Sequence, residues 1–309
     1  MLVSLKEILK DAQRKSYAVP AFNVDNLEMV QAVAQAAHEA RARVIIATSE
    51  SSLEYAGFQN LRALVYLAAE QSGILTLHLD HGKDMSTIKK CIDGGWTSVM
   101  FDGSSLPYKE NVAKTKQVVA WARKRNVSVE AELGALRTDE DLTQEGAREA
   151  LFTDPEQAKR FVKETGIDAL AISIGTAHGP FKFEGKTVLD FKRLAAIKQC
   201  VSIPLVLHGA SGIPKKILSI AHNQCDSMHD CVRLHGAQGV SDAAICKAIA
   251  LGIRKINIGT DLRIAFTAGL RRALMEHVTA SDERELLRDA RELIKETVLQ
   301  KIKLFKNIQ

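Results

Sequence analysis

The chain of 309 residues lacks the features that mark membrane proteins and secreted proteins. No apolar run approaches the ~20 residues needed to span a bilayer. Residues 1–7 have no basic segment followed by an apolar one, so we expect no secretory signal. The five cysteines are odd in number and scattered, which indicates reduced thiols in a cytoplasmic protein rather than a disulfide framework.

The sequence also carries little net charge, because 42 Lys and Arg residues nearly balance 37 Asp and Glu residues. The resulting charge of +5 is spread along the chain. It is too diffuse to indicate a nucleic-acid partner, although it can help to attract a phosphorylated anion. The apolar fraction of 46% is that of a globular protein with a sizeable core.

Short apolar runs that are typical of strands alternate with helical patterns along the whole chain. We predict strands at residues 18–23, 44–47, 75–79, 98–102, 128–133, 169–174, 205–207 and 254–257. A helical pattern after the candidate N-cap Ser4 extends to residue 15, and one that begins at Asn26 extends to residue 40. Further helical patterns lie between the later strands, and two more, at residues 261–277 and 283–305, close the chain. Strict β-α alternation predicts a parallel sheet, and eight units favour its closure into a (β/α)8 barrel with additional terminal helices.

An open, doubly wound sheet is the alternative within the same α/β class. No G-x-G-x-x-G motif follows the first predicted strand, which weakens that alternative. No linker or low-complexity segment divides the chain, so we expect one domain over residues 1–309. In a barrel of this kind the functional residues lie at the carboxyl ends of the strands.

Three predicted strands lead into a histidine that is followed by glycine, at His81, His178 and His208. Neutral imidazoles are the usual ligands of zinc, and three protein ligands that leave one position open make a catalytic site. A single histidine is more often a packed or a surface residue, but three at strand ends are hard to explain by packing. The pattern therefore predicts one divalent metal ion. We interpret His78, deeper in the strand of His81, as a packed core residue.

Carboxylates accompany these histidines on two predicted strands. Asp80 directly precedes His81, where it can move a proton or orient an imidazole. Glu130 and Glu132 share one face of the fifth strand, because strand side chains alternate with period two. Two buried acids require a cation or hydrogen-bond donors. A structural ion pair is the alternative interpretation, for Glu130 more than for Glu132.

Glycine-rich turns follow the seventh and eighth predicted strands, at residues 208–214 and 256–261. Backbone N–H groups at such turns and at helix starts bind phosphate. The last two loops of a barrel are the usual place for a phosphate site. Each segment alone is a weak motif, but the two together predict such a site.

Two connections, residues 134–153 and 221–240, are longer than simple turns. Long loops in compact domains are usually lids or binding loops. The second one contains a cluster of His222, Cys225, His229, Cys231 and His235. Cys/His density of this kind can bind zinc, but the spacing matches no compact zinc motif, so we interpret the cluster as part of a solvated loop.

Seven segments spread over nearly the whole chain resemble those of the class II (zinc-dependent) fructose-bisphosphate and tagatose-bisphosphate aldolases. They are residues 21–23, 79–82, 98–104, 130–134, 175–179, 208–212 and 257–261. The resemblance implies a TIM barrel, with zinc bound by His81, His178 and His208. It also implies sugar phosphates as ligands, dihydroxyacetone phosphate as one reaction partner, a homo-oligomer (a dimer or a tetramer), and a monovalent cation, K⁺ or Na⁺.

The resemblance further implies roles for residues at matching positions. Asp80 is the acid/base at the C4 hydroxyl, and Asp102 and Glu132 belong to the polar cluster on the metal side. Ser49 and Arg263 lie where the family binds one phosphate. The other phosphate and the substrate hydroxyls are bound at strand ends, by Gly179, Gly209, Ser211, Asn257 and Thr260, with Asn23 and Gly259 as further substrate-binding positions.

The family's proton-abstracting glutamate lies on the loop after the fifth strand, in a G-G-x-E-D-like sequence. Residues 134–142 lack the paired glycines, so the register of this chain against that motif is ambiguous. We assign the role to Glu140, with Asp139 as the alternative.

The eighth strand bears on which substrate is cleaved. Fructose-bisphosphate aldolases usually have Asn-x-Asp-Thr there and tagatose-bisphosphate aldolases Asn-x-Ala-Thr, whereas this chain has Gly259 at the variable position. Arg263 and residues 48–50 look more like the fructose type. We therefore expect cleavage of fructose 1,6-bisphosphate to dihydroxyacetone phosphate and glyceraldehyde 3-phosphate, with the tagatose isomer as the alternative.

Three other functions compete with this interpretation. A metal hydrolase on a barrel usually shows a His-x-His pair on its first strand, and residues 21–23 are Ala-Phe-Asn. A Schiff-base aldolase needs a lysine at a strand end, and Lys255 lies within a predicted strand. A sugar-phosphate-binding protein without catalysis is not distinguished by sequence, because binding and turnover use the same residues.

Overall fold

The computed structural model describes residues 1–134, 152–176, 188–225 and 239–306, with residues 222–225 as backbone only. Eight parallel strands close into a barrel in the order of the sequence. They are β1 (Val19–Asn23), β2 (Val44–Ser49), β3 (Leu75–Gly82), β4 (Ser98–Phe101), β5 (Ser128–Leu133), β6 (Ala169–Ile172), β7 (Leu205–Leu207) and β8 (Ile253–Ile258). Since β1 pairs with both β2 and β8, the predicted barrel is confirmed and the open-sheet alternative is wrong.

Within these ranges twelve helices accompany the strands. They are α1 (Leu5–Lys15), α2 (Leu27–Glu39), α3 (Glu50–Ala56), α4 (Phe58–Ser72), α5 (Met85–Asp93), α6 (Tyr108–Arg123), α7 (Pro155–Thr165), α8 (Phe191–Cys200), α9 (Lys215–Cys225), α10 (Asp242–Ala250), α11 (Thr260–Glu276) and α12 (Glu283–Lys306). None of these described helices combines the length and the apolarity needed to cross a bilayer.

Side-chain caps start several helices where the sequence predicts them. Ser4 accepts a hydrogen bond from the N–H of Glu7 at the start of α1, and Asn26 accepts one from Met29 at the start of α2. Such caps satisfy N–H groups that the helix itself leaves unpaired. The capping residues therefore set where the helices begin, and the predicted starts of α1 and α2 are confirmed.

Two local predictions are wrong. Helix α3 is not predicted, because Ser49 both ends β2 and caps α3, so that no turn residue separates the two elements. Residues 221–225, predicted as the beginning of a long connection, belong to α9. Neither difference changes the topology, because α3 lies between β2 and β3 and α9 lies between β7 and β8, so that the strand order is unaffected.

Helix α1 closes the amino-terminal end of the barrel. Leu5, Ile8 and Leu9 are fully buried. They form one apolar cluster with inward-facing strand residues, namely Val19, Ala21, Ile45, Met100, Ala169, Ala171 and Val206. This plug seals one end, so the barrel opens at the carboxyl ends of its strands, where functional side chains collect in such folds.

The barrel interior becomes polar above the plug. His78, Ser98, Glu130 and Lys255 are all fully buried on β3, β4, β5 and β8. Polar groups are tolerated in a core when they are hydrogen-bonded to one another. This polar layer separates the apolar plug from the open end and supports the residues that lie there.

Candidate active site

Asp80 and His81 are adjacent in sequence, and both contact residues at the open end of the barrel. Side chains of a regular strand alternate between its two faces, so this arrangement needs an irregularity. The pairing of β3 with β4 shifts register between Leu79 and Gly82, and His81 has a φ of 47°. Left-handed backbone is uncommon outside glycine. The irregular strand end thus places a carboxylate and an imidazole side by side.

Two amides hold the carboxylate of Asp80. Asn23 of β1 donates from Nδ2 to Oδ2 at 2.8 Å, and Asn257 of β8 donates from Nδ2 to Oδ1 at 2.7 Å. Nδ1 of His208 lies 4.0 Å from the same Oδ1. Asp80, Asn257 and His208 are buried. The structure therefore brings together four residues that the sequence placed in the site from four different segments.

His81 contacts the carboxylates of two further strands. Its Nδ1 lies 2.9 Å from Oδ2 of Asp102 and 3.7 Å from Oε2 of Glu132. The hydroxyl of Ser104 donates to the other oxygen of Asp102 at 2.7 Å. Oε2 of Glu132 is buried without a hydrogen-bond partner among the described residues. Asp102 therefore orients the ring of His81, while Glu132 keeps an oxygen available for a cation.

A hydrogen-bonded network in the polar layer supports His208. Nε2 of His208 lies 2.9 Å from Oε1 of Glu130, and Nζ of Lys255 lies 2.7 Å from Oε2. Nζ of Lys255 is also 3.3 Å from Nε2 of His78, whose Nδ1 lies 2.8 Å from the hydroxyl of Ser98. The ion-pair interpretation of Glu130 and the core interpretation of His78 are confirmed.

The ion pair of Lys255 with Glu130 is not among the sequence predictions, although the sequence contains one indication of it. Lys255 lies two residues before Asn257 and therefore faces the barrel interior, as Asn257 does. A buried lysine at such a position needs a carboxylate partner. Glu130 meets that need, and the partner could not be identified until the barrel brought β5 and β8 into contact across its interior.

Burial and hydrogen bonding set the protonation state of His208. Burial, followed by the nearby charge of His81, lowers the pKa of His208. Burial opposes the ionisation of Glu130, yet Lys255 and the hydrogen bond from His208 lower its pKa to about 2. An ionised carboxylate only accepts hydrogen bonds, so Nε2 of His208 carries the hydrogen. Nδ1 is then the ring atom with a lone pair, on the side of Asp80.

The residues around His81 at the open end of the barrel, Asp80, Asp102 and Glu132, are rich in negative charge. Burial and the charges of Asp102, Glu130 and Asp80 raise the pKa of Glu132 to about 8. Burial disfavours a charged ring at His81, but Asp80 and the hydrogen bond to Asp102 raise its pKa to about 9. Burial is the largest cause of the raised pKa of Glu132, and converging carboxylates contribute to both shifts because few positive charges balance them. A bound cation would relieve this imbalance.

The described donor atoms fit a divalent metal ion. One ligand atom from each of Asp80, His81 and His208 lies within 4.8 Å of the others, and the same holds for His81, Asp102 and Glu132. Imidazole nitrogens with carboxylate oxygens are a ligand set that zinc accepts. The two groups share His81, so one small volume at the barrel mouth contains the described residues that are predicted for the metal, namely His81, His208, Asp102 and Glu132.

The glycine-rich turns after β7 and β8 adjoin this volume. Gly209 follows His208 with a φ of 64°, a left-handed conformation that favours glycine. Ser211 is buried in the same turn. At β8, Gly259 provides no side-chain cap for α11, which begins at Thr260. First-turn N–H groups of a helix attract anions. Of the predicted phosphate residues, Gly209, Ser211 and Thr260 therefore lie on turns that follow strands of the predicted metal site.

Ser49 and Arg263 lie together at the rim of the barrel. Nε of Arg263 donates to Asp25 Oδ2 at 3.3 Å, and the hydroxyl of Ser52 donates to Asp25 Oδ1 at 2.6 Å. The hydroxyl oxygens of Ser49 and Ser52 are 2.8 Å apart. The arginine side chain is 57% exposed. The rim thus carries an exposed guanidinium that is paired with Asp25, next to the half-buried Ser49 and the buried Ser52. Guanidinium and hydroxyl groups are common donors to phosphate.

Several predicted residues lie outside the described part of the chain. They are the third histidine, His178, its neighbour Gly179, and the two candidates for the loop acid, Glu140 and Asp139. His229, Cys231 and His235 also lie outside it, and the side chains of His222 and Cys225 are not described.

Comparison with protein families gives one match that covers the chain. Residues 3–309 match the family model described as fructose-bisphosphate aldolase class-II. A curated protein from Thermus caldophilus, named fructose-bisphosphate aldolase, is 41% identical over 308 residues, which is 100% of this chain and 99% of that protein.

Solved structures of similar fold include two aldolases. The YdjI aldolase from Escherichia coli K12 is 34% identical, with a TM-score of 0.77 over 99% of this chain and 97% of that one. A putative fructose-1,6-biphosphate aldolase from Coccidioides immitis is 27% identical, with a TM-score of 0.76 over 97% and 95% of the two chains. These matches extend over the barrel and its terminal helices together.

Proposed function

Since this chain belongs to the class II fructose-bisphosphate aldolase family, we propose that it reversibly cleaves fructose 1,6-bisphosphate, as in glycolysis and gluconeogenesis. The products are dihydroxyacetone phosphate and glyceraldehyde 3-phosphate. The observation that carries this proposal is the placement of Asp80, which two amides hold beside His81 and His208. Aldol cleavage needs a base for a hydroxyl proton next to a group that withdraws electrons from the ketone. Asp80 would be the base, beside two of the imidazoles that would hold the electron-withdrawing metal.

The residues at the barrel mouth suit the zinc ion on which this family depends. His81, His178 and His208 would hold this zinc, which would supply the Lewis acid for the ketone carbonyl of the substrate. The contribution of His178 rests on the resemblance of residues 175–179 to the family. Asp102 contacts Nδ1 of His81 and Glu130 contacts Nε2 of His208, so the other nitrogen of each ring would bind the metal. Such contacts orient metal ligands and increase their basicity.

Asp80 takes the proton of the C4 hydroxyl as the C3–C4 bond breaks. Its position on a strand end, with both oxygens hydrogen-bonded to Asn23 and Asn257, holds it in one orientation. A fixed base avoids the entropy cost of finding its proton. In the condensation direction the same group returns the proton to the oxygen of the aldehyde.

A second acid must protonate C3 of the three-carbon product. Glu140 is the candidate, and Asp139 is the alternative. A loop residue suits this step, because a loop that closes over the substrate both supplies a group and excludes water.

The two phosphates have separate sites in this proposal. The turns at Gly209, Ser211 and Thr260, together with Gly179, bind the phosphate of dihydroxyacetone phosphate through N–H groups and hydroxyls. Ser49 and Arg263 bind the other phosphate at the rim. The exposed guanidinium and the capping serine support the second assignment.

Gly259 bears on the choice of substrate. A Cβ atom at this position would lie 3.5 Å from Cβ and Oδ1 of Asn23, which is ordinary contact. Asn23 in turn holds Asp80. A side chain at position 259 would therefore reach the residues around the C4 hydroxyl, where fructose and tagatose differ. This chain leaves that space open.

Further properties follow from the same proposal. We expect a single catalytic domain, a dimer or tetramer, and a monovalent cation, K⁺ or Na⁺. A cytoplasmic location is supported by Cys91, Cys200 and Cys246, which are free thiols in the described part of the chain. Light scattering measures the assembly, and titration with KCl against a choline salt measures the cation effect.

Steady-state turnover tests the proposal. The zinc-loaded protein is assayed with fructose 1,6-bisphosphate and, in parallel, with tagatose 1,6-bisphosphate, by coupled detection of the triose phosphates. We expect the higher kcat/KM for the fructose isomer. A higher value for the tagatose isomer would overturn the substrate assignment and keep the reaction class. Binding of both without turnover would identify a sugar-phosphate-binding protein.

A further inference from the structure

A buried lysine on the last helix contacts both turns that are assigned to phosphate. Lys301 lies on α12, and only 6% of its side chain is exposed. Its Nζ lies 2.9 Å from Oδ2 of Asp261, in the first turn of α11. The same Nζ donates to the carbonyl oxygen of Gly212, in the turn after β7. One ammonium group thus joins two loops that are far apart in sequence.

The helices around this contact are closely packed. A Cβ atom at Gly269 of α11 would lie 2.6 Å from Cα of Ala290 of α12, so glycine is needed for the helices to approach this closely. Asp261 lies on the amino-terminal side of this crossing in α11, and Lys301 lies on its carboxyl-terminal side in α12. The position of Lys301 is therefore set by helix packing and not by the loops it contacts.

The turn after β7 is closely packed as well. The N–H of Val240 donates to the carbonyl oxygen of Ser211 at 3.2 Å. A Cβ atom at Gly212 would lie 2.6 Å from the carbonyl oxygen of Val240. The turn is thus fixed on one side by Val240 and on the other by Lys301.

We propose that Lys301 is a positioning residue, which holds the turn of Ser211 and the first turn of α11 at the spacing that binds the substrate phosphate. This inference rests on the proposed function. Lys301 does not contact the phosphate in this proposal, because its Nζ is engaged by Asp261 and Gly212. Its effect is on the N–H groups and hydroxyls that the two turns present.

The test compares Lys301→Met with Lys303→Met, a matched variant at an exposed position of the same helix. Zinc-loaded enzymes are compared by KM and kcat for fructose 1,6-bisphosphate and by the calorimetric Kd of inorganic phosphate. In Lys301→Met, KM and Kd should each rise about tenfold and kcat should stay within about threefold, as expected for loss of uniform binding. Zinc content should be unchanged. Lys303→Met should match the wild type in every measurement.

Lys301→Met leaves Asp261 buried without its partner, which can prevent folding. The double variant Asp261→Asn/Lys301→Met removes both charges, so that phosphate binding can be measured even if the single variant does not fold. It should show the same rise in phosphate Kd, and Lys301→Arg should recover part of the wild-type affinity because the charge returns.

Two results would overturn the inference. The first is a wild-type phosphate Kd in both Lys301→Met and the double variant. The second is loss of zinc together with phosphate binding, since the variant would then disturb the metal site. The phosphate titration does not depend on the sugar. A wild-type protein that binds phosphate but does not cleave fructose 1,6-bisphosphate therefore contradicts the proposed function and leaves the role of Lys301 standing.

Discussion

Lys255 of β8 and Glu130 of β5 form an ion pair across the interior of the barrel, with Nζ 2.7 Å from Oε2 and both side chains fully buried. Glu130 also accepts from Nε2 of His208 at 2.9 Å. This pair connects the stability of the barrel to the orientation of a metal-ligand candidate. Breaking a buried ion pair costs more than the pair contributes, because it leaves an uncompensated charge.

Replacing Lys255 by Met should therefore destabilise the fold strongly. We expect the free energy of unfolding to fall by about 3–5 kcal/mol, the range typical of a broken buried pair. Denaturant unfolding measures the change. Lys89→Met is the control, because it removes an exposed i,i+4 partner of Asp93, and such pairs contribute little. Equal stability of Lys255→Met and wild type would show that Glu130 has another source of charge compensation.

Replacing His208 by Ala should abolish metal binding. Three protein ligands leave no spare one, so loss of a single imidazole should remove most of the zinc. Metal analysis of the purified variant measures this, and turnover should disappear with the metal. His38→Ala, at an exposed position of α2, should keep its zinc and its activity. Full occupancy in His208→Ala would remove this residue from the ligand set.

Metal removal should separate this mechanism from that of a Schiff-base aldolase. A chelator should abolish cleavage, and added zinc should restore it, because the metal supplies the electron withdrawal. Borohydride with substrate should leave the intact mass of the protein unchanged. Lys255 is the internal check, since it is buried in the barrel interior and is held by Glu130. A substrate adduct on that residue would require covalent catalysis.

Asp80 should be needed for cleavage but not for zinc binding. The variant Asp80→Ala should lose at least ~10²-fold in kcat, the contribution typical of a general base. Its zinc content, measured in parallel, should remain that of the wild type, because His81, His178 and His208 are kept. Asp84→Ala, which changes an exposed helix cap four residues along the chain, should leave kcat unchanged. A similar loss in both variants would point to disturbance of β3 instead.

The loop acid should govern a different step. Glu140→Ala should mainly lose the exchange of the C3 proton of dihydroxyacetone phosphate with solvent, because protonation at C3 is assigned to that residue. Proton NMR in deuterated water follows this exchange. Asp139→Ala serves as the neighbouring comparison, and the register question is decided by which variant loses exchange. Normal exchange in both variants would exclude this pair of residues from the step.

The sequence alone determined the fold and much of the site. Strand and helix patterns, together with caps such as Ser4 and Asn26, depend on local interactions that a single segment contains. The convergence of the candidate residues Asp80, His81 and His208 was predictable because each lies at the end of an apolar strand, and strand ends meet at one face of a barrel. The loop assignment of Glu140 stays a prediction.

Tertiary structure alone decided the contacts between distant segments. The pairing of Lys255 with Glu130, the amides of Asn23 and Asn257 on Asp80, and the link from Lys301 to Asp261 all join residues far apart in sequence. Local sequence patterns do not identify such partners, because these residues come within contact distance only when the barrel closes and the last helix packs against it. The irregular end of β3 belongs here too, since its register shift is defined only against β4.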